Sequence, residues 1–239
     1  MRGVRLIRPR RFLVVEGLIG AGKTTLCKLI AESWGAELIL EPSEHNPFLG
    51  PFYDEPRRYA FPVQMFYLIN RWRQQSHLRQ TGLFEDLVVS DYLFAKDRMF
   101  AEKTLDELEM ELYDRFAGVL GEIAPKPDLV VYLDVPTEVL MRRIHRRQAI
   151  GEEKIQPEYL DDLRERYERL WAEFTLCPVL RLDNRTVNYA DEPEGRAKIL
   201  ELIQDALLGN GNGTLPASGS PASASAERED QPSLFGTEA

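Results

Sequence analysis

The stretch FLVVEGLIGAGKTT, residues 12–25, decides the fold. Its first four residues, Phe12–Val15, form a short apolar run that ends at Glu16-Gly17, which is typical of a buried strand. The residues AGKTTLCKLIAESW then indicate a helix. Between strand and helix, GLIGAGKT (17–24) matches the pattern G-x-x-x-x-G-K-[ST], and this strand–helix setting is the one that the pattern requires.

A loop of this kind binds the phosphates of a nucleotide. Its glycines let backbone N–H groups turn inward, and these groups form an anion cradle with the N-terminus of the next helix. Lys23 is predicted to bridge the terminal phosphates of ATP and Thr24 to ligate Mg²⁺. A glycine-rich turn with an exposed lysine is the alternative, and the absence of an N-K-x-D motif from the sequence disfavours a GTPase. The predicted nucleotide-binding residues of the loop are Gly17, Gly20, Gly22, Lys23, Thr24 and Thr25.

Strands and helices are predicted to alternate outward from this loop. Alternation indicates βαβ units, so the sequence predicts a three-layer α/β protein with a central parallel five-stranded sheet flanked by helices. The remaining strands are predicted at 36–40, 86–90, 128–135 and 178–183, and the remaining helices at 56–80, 92–101, 104–122, 136–147, 157–174 and 193–208. Residues 1–11 are interpreted as a basic lead-in, 12–208 as one domain and 209–239, rich in Gly, Ser, Ala and Pro, as a disordered tail.

Composition and charge exclude several classes of protein. The chain has 239 residues, 44% hydrophobic and 29% charged, which is typical of a soluble globular protein. The net charge of −9 argues against nucleic-acid binding, and no apolar run is long enough to span a membrane. The two cysteines lack metal-ligand spacing, so a reducing cytoplasm is predicted. A mitochondrial presequence is the alternative interpretation of the basic N-terminus.

A second stretch, LILEPSEHNPFLGPFYDEPRRYAF (38–61), predicts an acceptor site. Its apolar start indicates the end of a strand, and Glu41 follows directly, with Pro42 after it. Ligands of open α/β sheets lie beyond the carboxyl ends of the strands, so Glu41 is expected near the terminal phosphate. A carboxylate there can accept the proton of an attacking hydroxyl as a general base. A helix N-cap or a surface acid before a turn is the alternative.

The motifs GLIGAGKTT, the Glu-Pro pair and NPFLGPFYDEPRRYAFPVQMFYLINRWRQ together resemble the deoxyribonucleoside kinase family, most closely its bacterial deoxyadenosine/deoxyguanosine kinase branch. The resemblance runs from Phe12 to Leu207 and implies a P-loop kinase fold, with 12–208 as the kinase domain. It assigns Glu41 as the base that takes the proton of the 5′-hydroxyl, and Tyr53 as the partner of the sugar 3′-hydroxyl.

The resemblance also assigns the residues that read the nucleobase. Gln64 matches the glutamine at the base edge, and its amide both donates and accepts hydrogen bonds. Arg71 lies two helical turns further along the same face and matches an arginine that contacts the base. Asp97 matches an aspartate that pairs with this arginine, which favours a purine or cytosine over thymine. A plain ion pair between the two is the alternative.

At the nucleotide end the family pattern has departures. Asp91 ends the third strand and is predicted to organise Mg²⁺ through water, but Tyr92 and Leu93 stand where relatives carry Arg and Ser, which leaves a gap at the phosphates. Arg143 and Arg147 match two arginines of the family's lid over the ATP phosphates, with a solvated basic helix face as the alternative. The family further implies that Glu152 lies near the sugar, and that Asp183 and Asn184 lie near the adenine.

The resemblance therefore implies an enzyme that phosphorylates a deoxyribonucleoside at its 5′-hydroxyl with ATP and Mg²⁺ in nucleotide salvage. Deoxyadenosine or deoxyguanosine is the expected substrate and deoxycytidine a further candidate, with Glu41, Lys23, Arg143 and Arg147 as the catalytic set. A thymidylate-kinase-like nucleoside monophosphate kinase and a catalytically impaired nucleotide-binding interaction protein are the alternatives. The family also implies a homodimer. In the tail, QPSLF (Gln231–Phe235) resembles peptides that dock on the replication sliding clamp, with an inert tail as the alternative.

Overall fold

The structure, a computed structural model, describes residues 11–42, 45–80, 87–121, 124–147, 149, 152–183, 189–190 and 192–209. Within these ranges the strands are β1 (Arg11–Gly17), β2 (Glu37–Ile39), β3 (Leu87–Ser90), β4 (Leu129–Asp134) and β5 (Val179–Asp183). The helices are α1 (Lys23–Trp34), α2 (Leu49–Asp54), α3 (Pro56–Gln80), α4 (Lys96–Thr104), α5 (Glu107–Gly121), α6 (Thr137–Arg147), α7 (Pro157–Glu173) and α8 (Pro193–Leu207), and a 3₁₀ turn spans Glu152–Lys154. The predictions for residues 1–10, Asn184 and the tail from 210 onward, including Gln231–Phe235, lie outside the described residues.

The five strands form one parallel sheet in the order β2-β3-β1-β4-β5, which confirms the predicted fold class. The two central strands are apolar and buried on both faces, as parallel strands covered by helices must be. Side chains from Leu13 to Val15 in β1 and from Leu129 to Leu133 in β4 are at most 1% exposed. The core of the domain is therefore built around β1 and β4.

The order of the strands creates a crevice at the carboxyl edge of the sheet. The chain leaves β1 toward the β2 edge, and the later connections run in the opposite direction. Right-handed crossovers therefore put α1 on one face of the sheet and the helices from α2 to α7 on the other. In such sheets the ligand lies where the direction reverses. The ends of β1, β2 and β3 meet there.

The structure differs from the predicted boundaries of several elements. β1 begins at Arg11, which the sequence assigned to the lead-in, and continues through Gly17. The helix predicted from residue 92 begins only at Lys96, where its N–H donates to the carbonyl of Leu93. Residues 91–95 instead lie outside any helix, and the N–H of Leu93 donates to the buried carboxylate of Glu16. The sequence analysis did not predict the short helix α2 or the 3₁₀ turn. Among the described helices, none combines the length and apolar character needed to cross a lipid bilayer.

Candidate active site

The phosphate loop joins β1 to α1 at the carboxyl edge of the sheet. Gly22 has a φ of 101°, and a Cβ at this position would lie 2.5 Å from the phenol oxygen of Tyr189, so the loop needs glycine there. The ammonium of Lys23 donates to the carbonyls of Gly17 at 2.8 Å and Leu18 at 3.2 Å. Burial, followed by the charge of Lys96, lowers the pKa of Lys23. The loop thus holds a cation over its own backbone, and Thr24 and Thr25 follow in the first turn of α1.

Helix α6 closes one side of the loop. Nη1 of Arg143 donates to the carbonyls of Ala21 at 3.0 Å and Gly20 at 3.4 Å. One turn later, Nε of Arg147 donates to Oε2 of Glu152 at 3.1 Å, and the second guanidinium nitrogen pairs with the same carboxylate. Both predicted lid arginines therefore lie at this edge, but only Arg143 contacts the loop.

Glu41 turns its carboxylate into the crevice, where two cations face it. Nε of Arg71 donates to Oε1 of Glu41 at 2.8 Å, and Nη2 of Arg71 pairs with the same oxygen. The ammonium of Lys96 lies 3.8 Å from Oε2. The side chain of Glu41 is 18% exposed. It is thus neither a surface acid nor a helix cap.

The charge state of Glu41 follows from these contacts. Burial alone would raise its pKa, but the charges of Arg71 and Lys96 and the hydrogen bond from Arg71 lower the pKa of Glu41 to about 2. The carboxylate is therefore ionised at neutral pH and able to accept a hydrogen bond from a substrate hydroxyl.

Arg71 links Glu41 to a second buried acid. Its Nη1 pairs with Oδ1 of Asp97, whose side chain is 1% exposed. The phenol of Tyr113 donates to the other oxygen of Asp97 at 2.7 Å. The guanidinium also lies 5.2 Å from the centre of the Tyr67 ring. A buried arginine held by two carboxylates and an aromatic ring has a fixed orientation, which is the property that recognition of a planar group needs.

Gln64 lies on the same face of α3 as Arg71, two turns earlier. It is 5% exposed, and its Nε2 donates to Oγ1 of Thr104 at 3.2 Å. The structure therefore brings both predicted base-reading residues to one face of one helix, beside α4, whose Asp97 orients Arg71.

Tyr53 and Glu152 approach the crevice from α2 and the 3₁₀ turn. Burial raises the pKa of Tyr53, and the nearby charges of Tyr159 and Glu152 add to the shift. Lys154 pairs with Asp54, which ties the turn to α2. The predicted sugar-binding residues are therefore neighbours in space although a hundred residues separate them.

Thr24 and Asp91 form a pair that fits Mg²⁺. Oγ1 of Thr24 donates to Oδ2 of Asp91 at 2.7 Å, while Oδ1 accepts the backbone N–H of Glu41 at 2.7 Å. A hydroxyl and a carboxylate beside a phosphate loop are donors that Mg²⁺ takes together with phosphate oxygens and water. The described part of the chain has no cluster of three or more His, Cys, Asp or Glu side chains that could hold a metal alone. Phosphate oxygens would have to complete the site.

Comparison with known proteins assigns the family. The profile of the family described as deoxynucleoside kinase matches residues 13–208, which is most of the chain. The chain belongs to the deoxynucleoside kinase family. One curated relative of this kinase is the deoxyguanosine kinase of Bacillus subtilis (strain 168), 35% identical over 161 residues, which are 66% of this chain and 76% of the relative. Another is the deoxyadenosine/deoxycytidine kinase of the same organism, 29% identical over 215 residues, which are 85% of this chain and 96% of the relative.

A solved structure has the same fold as this kinase. It is a deoxyadenosine kinase from M. mycoides with bound dATP. The two chains superpose with a TM-score of 0.68 at 25% sequence identity, and the match covers 82% of this chain and 99% of the M. mycoides chain.

Two buried charged residues beside the site were not predicted from the sequence. Glu16 is fully buried at the end of β1, and Lys96 is buried at the start of α4, 3.3 Å from it. A lone acid in an otherwise apolar strand beside the phosphate loop was a usable signal. Lys96, between apolar residues and Asp97, gave none. Of the two residues predicted near the adenine, Asp183 ends β5 at the same edge of the sheet, and Asn184 lies outside the described residues.

Proposed function

We propose that this kinase transfers the terminal phosphoryl group of ATP to the 5′-hydroxyl of a purine deoxynucleoside, deoxyadenosine or deoxyguanosine, in nucleotide salvage. The observation that carries the proposal is the carboxylate of Glu41, held by Arg71 beside a phosphate loop. Family membership supports deoxynucleoside phosphorylation as the reaction. It gives no support to the thymidylate-kinase-like alternative.

The nucleotide is bound at the loop in this proposal. Backbone N–H groups and Lys23 hold its phosphates, and Arg143 and Arg147 neutralise the charge of the transferred group. Gly17, Gly20, Gly22, Thr24 and Thr25 form the cradle, and Asp183 lies toward the adenine. Mg²⁺ supplies further charge neutralisation of the phosphates when it is bound at Thr24 and Asp91. Arg147 has to exchange Glu152 for phosphate when ATP arrives.

The acceptor enters from the side of α2 and α3. The carboxylate of Glu41 takes the proton of the 5′-hydroxyl as the bond to phosphorus forms and the bond to the leaving oxygen of ADP breaks. Tyr53 and Glu152 bind the sugar hydroxyl. Gln64 and Arg71 read the base, and Asp97 keeps Arg71 in place. A guanidinium donates only, so it needs an acceptor on the base, which all four bases offer. The carboxylate of Asp97, paired with Arg71, can accept from the exocyclic amino group that adenine, guanine and cytosine carry and thymine lacks.

A panel of the four deoxynucleosides with ATP and Mg²⁺ tests the proposal. We expect deoxyadenosine or deoxyguanosine to have the highest kcat/KM and thymidine the lowest, by a factor of about a thousand or more, because a site built around hydrogen bonds rejects a base that cannot complete them. The measurement is kcat/KM for each deoxynucleoside, with deoxyadenosine monophosphate as a control acceptor. Preference for thymidine or for the monophosphate would overturn the assignment, and no turnover with any acceptor would favour the impaired binding protein.

We also propose that the kinase is a homodimer, as the resemblance implies. The support is an apolar stripe on α5, which consists of Leu108, Leu112, Phe116 and Val119, with exposures of 78%, 44%, 46% and 69%. Their spacing of four, four and three residues puts them on one face of the helix. A contiguous apolar face of this kind marks an interaction site, and a second copy of the stripe would cover it across a two-fold axis.

Changing two residues of the stripe to acids should produce a monomer. We expect the double variant L112E/F116E to sediment as a single chain, because burying four carboxylates across a two-fold interface is prohibitive. The control is L176E, an equally exposed leucine outside the stripe, which should sediment like the wild type. Sedimentation equilibrium is the measurement, and a monomeric wild type would contradict the proposal.

We further propose that the enzyme is located in the cytoplasm. Its support is that both cysteines, Cys27 and Cys177, are free thiols, as in a reducing compartment. The sliding-clamp contact of Gln231–Phe235 stays a prediction from sequence.

A further inference from the structure

Lys96 is a buried lysine that faces two carboxylates. Its side chain is 4% exposed, and its ammonium lies 3.3 Å from Oε1 of Glu16 and 3.8 Å from Oε2 of Glu41. Lysine is almost never buried to this extent unless it is paired, because taking an ammonium out of water is costly. The sequence keeps this charge at the point where the phosphate loop and the proposed acceptor base meet.

Glu16 holds Lys96 in a fixed place. Oε1 of Glu16 accepts the backbone N–H of Leu93 at 2.6 Å, and Oε2 accepts the phenol of Tyr167 at 2.8 Å and the N–H of Gly17 at 3.2 Å. Three donors from three parts of the chain fix this carboxylate. The ammonium that pairs with it is therefore anchored to β1, the strand that leads into the phosphate loop.

The arrangement brings two ammoniums to one side of the loop. The charge of Lys96 is the largest cause, after burial, of the lowered pKa of Lys23. Two like charges held close together are stabilised when an anion comes between them. A phosphoryl group bound at the loop is such an anion, and its negative charge is spread over oxygens that two cations can contact at once.

Lys96 also supplies a cation close to residues 92 and 93, which carry none. Tyr92 and Leu93, the first two residues after Asp91, carry no cationic group, and both are buried, at 1% and 3% exposure. The chain makes one turn after Leu93, closed by the hydrogen bond from the N–H of Lys96 to its carbonyl. This turn returns the side chain of residue 96 to the edge of the sheet where Asp91 and Glu41 lie.

We propose that Lys96 is a catalytic residue of this kinase, and that its ammonium contacts the transferred phosphoryl group while Glu16 positions it. The inference rests on the proposed function. As the bond from the 5′-oxygen to phosphorus forms and the bond to the leaving oxygen of ADP breaks, the proton of the hydroxyl goes to Glu41. The ammonium of Lys96 offsets the charge that moves across the phosphoryl oxygens.

Two substitutions of Lys96 test this role. We expect Lys96→Met to lower kcat about a hundredfold to a thousandfold, the usual effect of removing one preorganised charged donor, and Lys96→Arg to retain activity within about tenfold of the wild type. The deoxynucleoside KM should change far less than kcat. Lys28→Met, on the exposed face of α1, is the matched control and should behave like the wild type.

A binding measurement makes the test independent of turnover. If Lys96 contacts the terminal phosphoryl group, Lys96→Met should raise the dissociation constant of ATP about tenfold, the factor expected for one lost charged contact. The dissociation constant of ADP, which lacks that group, should stay unchanged. Calorimetric titration of both nucleotides gives the ratio. An unchanged ATP-to-ADP ratio overturns the proposal, even if the wild type proves to use another acceptor. A wild type that phosphorylates no deoxynucleoside would instead overturn the proposed function.

A purely structural role, in which Lys96 only neutralises Glu16, predicts a different result. In that case Lys96→Met loses activity because a buried carboxylate is left without its cation, and adding Glu16→Gln should restore both thermal stability and kcat. On our proposal the double variant E16Q/K96M recovers thermal stability but keeps the low kcat and the lost ATP preference. Recovery of wild-type kcat in the double variant would therefore overturn the catalytic role.

Discussion

Replacing Glu41 by Gln should lower kcat about a thousandfold, within the range that a positioned general base contributes. Glutamine has nearly the same shape and can still accept a hydrogen bond from Arg71, but it cannot take the proton of the 5′-hydroxyl. The dissociation constants of ATP and of the deoxynucleoside should stay within a few-fold of the wild type. The measurements are kcat from steady-state kinetics and the two dissociation constants from calorimetry.

The control for this variant is Glu165→Gln, an exposed acid on α7 whose side chain is 74% accessible. It should be indistinguishable from the wild type. Arg71 keeps Asp97 and Lys96 keeps Glu16 as partners in this variant, so Glu41→Gln should remain folded, which thermal unfolding checks. A variant that folds, binds both substrates and turns over at near the wild-type rate would contradict the role of Glu41 as the base.

The low pKa of Glu41 is compatible with that role. A carboxylate with a pKa of about 2 is a weak base in bulk solution, and it cannot remove the proton before the bond to phosphorus forms. Phosphoryl transfer needs no early proton removal, because its transition state is loose and catalysis consists mainly of positioning and charge stabilisation. The two cations that depress the pKa also fix the direction of the carboxylate, so the same contacts that weaken the base orient it.

The features of this site that follow from local sequence patterns could be predicted. The phosphate loop has a fixed spacing and lies between a recognisable strand and helix, and the position of Glu41 follows from the rule that ligands lie at the carboxyl ends of parallel strands. Arg71 and Gln64 share a helical face, which the period of 3.6 residues determines. These features depend on residues that are close in sequence or on one topological rule.

The contacts that the sequence did not reveal join distant segments. Lys96 meets Glu16 across 80 positions of the chain, and Tyr167 meets the same carboxylate across 151. No local pattern encodes such a pair, and a lysine between Ala95 and Asp97 is equally typical of the exposed face of a helix. The predicted start of α4 was also too early, because the backbone N–H groups of Tyr92 and Leu93 donate to the side chains of Ser90 and Glu16.

Replacing Arg71 by Met should have the second large effect, on base selectivity and on stability together. The variant leaves Asp97 and part of Glu41 buried without their guanidinium, which typically costs about 3–5 kcal/mol in the free energy of unfolding. For a domain of this size that corresponds to a fall in Tm of about 10 °C. If Arg71 reads the base, kcat/KM for the preferred purine should fall about a thousandfold and that for thymidine much less, so that the panel of four becomes nearly uniform.

Two further variants separate base reading from ion pairing. Arg71→Lys keeps the charge but cannot bond to Glu41 and Asp97 at once, so it should recover part of the Tm and little of the selectivity. Asp97→Asn keeps Arg71 but removes one of its anchors, and it should reduce the preference for the purine less than Arg71→Met does. Equal losses of kcat/KM for all four deoxynucleosides in Arg71→Met would contradict base recognition, because a residue that only supports the fold affects every substrate alike.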